Sequence, residues 1–298
     1  MVRNFVRKSS IPDSKVFLIK KLDEPYFDPT FHFHPEYQLF LVLKGRGMRV
    51  IGDTIKPFKE GDLIFTGPNL PHVWRNENRY FEDDSTNQTS GIVIYFQEDF
   101  LDNSIRNKEE LNIISCLFEK AKRGLEVLGE TREQVSTMMQ NLLGMDGFKS
   151  IIQLLEIFHT IAISQNIRLL TRLDYVPVAK KISTDRMNIV YEYVMKNYNK
   201  KIGLNEVAER VNMTPTSFSR YFKTHVNKSF SDFVKEIRIN HACKMLQEEQ
   251  LNISQIAYEC GYNTLSNFNK QFREITSQTP LFYKKTFHDL NIDTYGNF

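Results

Sequence analysis

The chain has 298 residues, 41% hydrophobic and 12% aromatic, enough for two domains with cores of their own and unlike the composition of a disordered protein. No window approaches the roughly 18 uninterrupted apolar residues of a membrane span. Met1 to Lys15 lacks the apolar run of a signal peptide, and Cys116, Cys243 and Cys260 form no CxxC pair, so the sequence predicts a cytoplasmic protein with neither a disulfide framework nor a cysteine zinc site. The cysteines read as small buried apolar residues.

From Lys15 to about Phe96 short apolar runs alternate with turn signals. Val16 to Ile19, Tyr37 to Leu43, Met48 to Ile51, Asp62 to Phe65 and Ile92 to Phe96 are the runs, and Gly45, Gly47, Gly52, Gly61 and Gly67-Pro68 punctuate them. That spacing predicts an antiparallel sandwich or barrel. Glu82 to Ser90 reads as a polar loop.

Between about Asp99 and Thr171 the period becomes helical, with helices predicted over Leu111–Arg123, Thr131–Leu143 and Phe148–Gln165. In the last, Ile151, Leu154, Leu155, Phe158, Ile161 and Ala162 form one apolar stripe. The stripe suits either core or a dimer interface. Leu170 to Ser183, with Pro177 and several charges, reads as a linker.

From Asp185 to about Phe287 the pattern is all-helical and contains the same sentence twice. Leu204 to Ala208, a turn at Asn212, then Thr214 to Lys223 is matched by Ile253 to Ala257, a turn at Gly261, then Thr264 to Arg273. In each copy a small Ala lets two helices approach, and two Phe four residues apart, Phe218 with Phe222 and Phe268 with Phe272, bury one face of the second helix. The opposite face is short, polar and basic, which is the chemistry of a helix laid in a DNA major groove. Thr216, Ser219 and Arg220 occupy it in the first copy and Ser266, Asn267 and Lys270 in the second, with Lys223 and Arg273 placed for phosphates. Charge agrees: Arg186 to Leu290 holds 15 Lys and Arg against 10 Asp and Glu, although the whole chain is only +3.

These residues, with Ile237-Arg238, Ala242, Met245-Leu246 and Thr279-Pro280 to Tyr283, resemble the DNA-binding domain of AraC/XylS-type transcription regulators. The resemblance implies seven helices, with two helix-turn-helix units presented to successive major grooves by a long helix over Ser231 to Glu248. It also implies recruitment of RNA polymerase. Asn227 and Ser277 stand where the family usually has Gly, and Lys284 where it usually has Arg. Arg238 matches a family Arg and is expected to be structural, in an ion pair.

His32-Phe-His34-Pro-Glu36-Tyr-Gln38, with Gly45, then Gly61 to His72 and Asn76, resemble the two motifs of the cupin barrel. On a strand, residues 32, 34, 36 and 38 share one face. If that face looks inward, His32, His34, Gln38 and His72 converge. Metal-dependent cupin enzymes use a carboxylate where Gln38 stands, and a neutral ligand weakens the hold on a dication. The expectation is therefore a metal-free pocket without a cofactor, in which His32, His34, Glu36, Gln38, His72 and Trp74 meet a small-molecule effector, a sugar being one candidate. Trp74, the sole tryptophan, and Tyr37 could each face a flat ligand or belong to the core.

The fold expected is α+β in two domains. Residues 1–98 form a cupin-like antiparallel β-barrel that senses the effector, 99–171 a helical linker that dimerises the chain, and 185–290 an all-α domain with two helix-turn-helix motifs. The function expected is not enzymatic: a cytoplasmic, effector-responsive activator that binds double-stranded DNA as a homodimer, away from membranes. A cupin metallo-enzyme fused to a DNA-binding domain and an effector-independent DNA-binding dimer are the alternatives.

Overall fold

The computed structural model describes residues 11–82, 86–102, 108–172, 175, 184–248 and 250–286. The start of the N-terminal segment, the tip of the Glu82–Ser90 loop and nearly all of the Leu170–Ser183 linker lie outside the described residues. The chain divides into two units, Met1–Thr184 and Asp185–Phe298.

In the first unit the alternating runs become β1 (Phe17–Glu24), β2 (Tyr37–Lys44), β3 (Gly47–Ile51), β4 (Thr54–Phe58), β5 (Leu63–Thr66), β6 (His72–Asn76) and β7 (Thr89–Phe96). Two of these, β4 and β6, were not among the expected runs. Strand β4 carries Pro57, which is tolerated because β4 is the edge of a three-stranded sheet ordered β4-β3-β6. Strand β6, His-Val-Trp-Arg-Asn, is largely polar yet wholly buried.

Residues 99–171 are not a separate linker. They form α1 (Asn112–Ala121), α2 (Gly129–Leu142) and α3 (Gly147–Ala162), near the expected helices, but also two unforeseen strands, β8 (Leu125–Val127) and β9 (Ile167–Leu169). These complete a six-stranded antiparallel sheet, β1-β7-β2-β5-β8-β9. Leu63, Ile64 and Phe65 of β5 pair with Val127, Glu126 and Leu125. One apolar core joins Tyr37, Phe65 and Phe96 from the strands to Phe118, Leu154, Ile157, Phe158 and Ile161 from the helices. Gly67 fits here because its backbone N–H donates to Ala121 at 2.7 Å, and a Cβ would lie 2.6 Å from Lys122 Cα. A buried Arg49 on β3 ties the sheets together, pairing with Glu126 of β8, whose other oxygen accepts from Arg168 Nε of β9 at 2.8 Å.

The apolar stripe on α3 is therefore mostly core: Leu154, Phe158 and Ile161 are fully buried. What α3 leaves outside is a different set, Phe148 (75% exposed) and Ile152, with Ile163 exposed just past its end. Cysteines 243 and 260 are buried as expected, but Cys116 on α1 is exposed.

The second unit has seven helical segments among the described residues: α4 (Thr184–Asn197), α5 (Leu204–Arg210), α6 (Pro215–Val226), α7 (Phe230–Gln247), α8 (Ile253–Glu259), α9 (Leu265–Thr276) and residues 280–286. Four of them, α6 to α9, start on a capping side chain. Thr214, Ser229, Asn252 and Thr264 accept a backbone N–H from three residues on, and Asn252 with Gln255 makes a full capping box. Both second helices of the repeat end on a left-handed residue, Asn227 (φ 56°) and Ser277 (φ 62°), the positions where the family prefers Gly. The backbone turn is kept in both, so Ser277 leaves the exit from α9 regular and bears the conformational cost itself.

Candidate functional site

The repeated motif places its two Phe pairs as the spacing requires. Phe218 and Phe222 on α6, and Phe268 and Phe272 on α9, are fully buried. Around the first pair lie Phe230 and Phe233 of α7. Around the second lie Ile239, Ala242, Cys243 and Leu246 of the same helix, with Ile256 and Ala257 of α8. Helix α7 thus serves both motifs with different residues. The opposite faces of α6 and α9 point outward: Thr216, Arg220 and Lys223 are exposed, Ser219 is half-buried, and Ser266, Asn267, Lys270 and Arg273 are exposed. Asn267 Oδ1 accepts from Gln271 Nε2 at 3.1 Å, and Gln271 Oε1 accepts from the Tyr262 hydroxyl at 2.9 Å, so a short hydrogen-bonded chain orients the Asn267 amide.

Arg238 on α7 is structural, but the partners are not carboxylates. Its Nε donates to the Tyr198 carbonyl and its Nη2 to the Lys200 carbonyl, both at 2.7 Å, and the guanidinium lies 5.7 Å from the Tyr262 ring centroid.

In the barrel unit the histidines do converge. One ring nitrogen each from His32, His34 and His72 lies within 4.8 Å of the others, and all three residues are buried. The route differs from the expected alternation, because β2 begins only at Tyr37 and residues 35–36 form a bend. His32 is placed by a bridge to His72. Each imidazole donates from Nδ1 to a backbone carbonyl: His32 to Thr30 at 2.7 Å, His34 to Glu36 at 3.0 Å, His72 to Leu70 at 2.7 Å. With its Nδ1–H donated to the Leu70 carbonyl, His72 presents Nε2 as a lone pair. Gln38 Oε1 lies 3.1 Å from His34 Nε2, while the Glu36 carboxylate lies on the other side of that ring, 3.4 Å from Nδ1. His72 Nε2 has no hydrogen-bond partner among the described residues. Burial first, then the neighbouring His32 and His34, hold His72 well below its usual pKa, so it is neutral at physiological pH. The imidazole nitrogens of His32, His34 and His72, with the Gln38 amide oxygen, form a buried polar set that can hydrogen-bond a ligand or surround a borderline dication.

Next to this cluster is a cavity of about 450 Å³ whose walls include His32, Gln38 and Trp74 together with Phe27, Phe40 and Tyr95. Its lining also includes Glu24 and Asp28 and, among the described residues, no Lys or Arg. Tyr37, in contrast, is fully buried on the helix side of the sheet, stacked on Phe96 at 5.0 Å. The contributions of Phe27 and Tyr95 were missed because the first precedes the histidine motif and the second reaches the cavity only through β7 pairing with β2, where Tyr95 stands opposite Gln38.

A helix-turn-helix domain family model matches residues 207–286, and a cupin domain family model matches residues 24–79. Over 261 residues the chain is 23% identical to YdeC of Bacillus subtilis, described as an uncharacterized HTH-type transcriptional regulator, and covers 85% of each chain. Over 254 residues it is 22% identical to RhaS of Pectobacterium carotovorum, described as an HTH-type transcriptional activator, covering 84% of this chain and 85% of the relative. A shorter stretch of 74 residues is 35% identical to the HTH-type transcriptional regulator GlxA of Rhizobium meliloti, covering 25% of this chain and 23% of the relative. All three relatives are described as transcriptional regulators or activators. Among the described residues, no helix is long and apolar enough to cross a membrane.

Proposed function

We propose that this chain, an AraC-type helix-turn-helix transcription regulator with an N-terminal cupin domain, activates transcription in the cytoplasm in response to a small organic molecule held in the barrel. The observation that carries the reading is the pair of matching helices, α6 and α9, with aromatic faces buried and polar faces exposed on one unit. Arg220 suits a guanine edge and Asn267 an adenine edge, with Lys223 and Arg273 on phosphates. The activator role follows the description of RhaS. Contact with RNA polymerase and a homodimer complete the mechanism, the exposed Phe148 and Ile152 of α3 being the apolar surface available for pairing. Effector binding then biases how the two DNA-binding units of the dimer are presented.

Duplexes selected from a random library by the full chain test the readers. Arg220→Ala and Lys270→Ala are each expected to lower affinity for the selected duplex by about 1–3 kcal/mol, roughly 5- to 150-fold, with unchanged helical content. Unchanged affinity in both would remove α6 and α9 from the interface.

The sensor is tested on residues 1–184 by thermal shift against sugars, amines, organic acids and divalent metals. A concentration-dependent rise in Tm with one organic class supports the effector reading. A rise with a divalent metal alone, abolished in His72→Ala, would replace it with a metal-responsive barrel.

A further inference from the structure

We propose that the concave surface between α6 and α9 holds the sugar-phosphate backbone of the DNA through Lys200 and Lys201, and that Arg238 is the residue positioning them. The proposal rests on the DNA-binding reading above and extends it to a surface outside both reader helices.

The cleft between the two motifs measures about 1010 Å³. Ser219 and Lys223 of α6 stand on one side, Asn263 and Gln271 of the second motif on the other. Five cations line it, Lys200, Lys201, Lys223, Lys235 and Arg238, against one carboxylate, Asp232. Two of the five are committed elsewhere. Lys235 is paired with Asp232 at 3.1 Å and Glu274 at 3.2 Å, and Arg238 is bonded to the carbonyls of Tyr198 and Lys200. Lys200 and Lys201 are exposed, as is Lys223.

These two lysines are held on a fixed loop. The Arg238 fork grips the loop at residues 198 and 200 from below. From the side, the turn of the second motif leans on it at Gly261, where φ is +78° and a Cβ would stand 2.8 Å from the Tyr198 carbonyl oxygen. The loop that leads into the first motif is thus clamped by the connecting helix and by the second motif, and its exposed charges stay at the cleft. When two helices of one unit occupy successive major grooves, the backbone between those grooves passes over the surface that separates them. Lys200 and Lys201 are the cations waiting there, and a backbone phosphate is the ligand their chemistry fits.

The test uses the full chain with its selected duplex and an unrelated duplex, each titrated between 50 and 200 mM salt. Each lost phosphate contact reduces the magnitude of the negative slope of log K against log salt by about 0.9, so Lys200→Ala with Lys201→Ala should reduce it by roughly 1.8 on both duplexes. Over that salt range the natural chain should lose about tenfold more affinity than the double variant. Arg238→Lys, which keeps the charge but not the fork, should change the slope in the same direction. An unchanged slope on both duplexes in the double variant would overturn the proposal. The reader assignment is judged apart from it, by Arg220→Ala, which acts on the selected duplex alone.

Discussion

A fragment ending at residue 98 is expected to be unfolded, whereas residues 1–184 fold with a cooperative thermal transition. Cutting at 98 strips β8 from β5 and leaves Leu63, Ile64 and Phe65 as an open edge. It also removes Phe118, Leu154, Ile157, Phe158 and Ile161 from the core shared with Phe65 and Phe96. At about 1.5–3 kcal/mol for each buried side chain, these five contribute roughly 8–15 kcal/mol, as much as the whole net stability of an ordinary domain. Arg49 would lose Glu126 and remain buried near Asp62 alone, 3.6 Å away. Near-UV circular dichroism of the two fragments decides the matter, and a cooperative transition in residues 1–98 would contradict this account of the core.

The second large effect is local. Phe272→Ala should destabilise the second helix-turn-helix by about 3–5 kcal/mol, the usual cost of emptying a buried Phe site. The ring packs edge-on against Tyr283 at 5.6 Å and beside Phe268 at 5.6 Å, in a cluster with Cys243 and Leu246, so no small shift of one neighbour refills the space. The first motif has its own aromatic set, Phe218, Phe222, Phe230 and Phe233. Amide hydrogen exchange should therefore accelerate across α8 and α9 and remain slow in α5 and α6, with loss of affinity for the selected duplex. Equal acceleration in both motifs would show that the unit has one core and not two.

The double helix-turn-helix was legible because helical order is local: the Phe pairs, the Ala, the turn residues and the caps lie within about twenty residues of one another in each copy. The barrel strands that are short apolar runs bounded by turn residues, β1, β2, β3, β5 and β7, were legible for the same reason. Strand β6 was not, since His72, Arg75 and Asn76 look solvent-facing until the cavity and the second sheet surround them. Strands β8 and β9 span three residues each, too few for any period, and form because β5 offers an edge to β8 and β8 in turn offers one to β9. That non-local pairing is also why the helical region was taken for a linker. The histidine cluster was found through a motif, as no spacing argument joins His32 to His72. Glu36 was placed wrongly because alternation was carried through a bend where no strand runs. Arg238 illustrates a further limit: a buried cation suggests a carboxylate, yet carbonyl oxygens at a loop satisfied it.

Trp74 has a use beyond any contact it makes. It is the only tryptophan among 298 residues, and its ring sits in the cavity wall, 4.8 Å from Phe40 and 5.5 Å from His72. Selective ultraviolet excitation of the intact chain therefore addresses a single chromophore. Its emission carries no tryptophan background from Asp185–Phe298. The barrel is thus optically isolated within the full-length protein, and any change around its cavity can be followed by light whatever the other unit is doing.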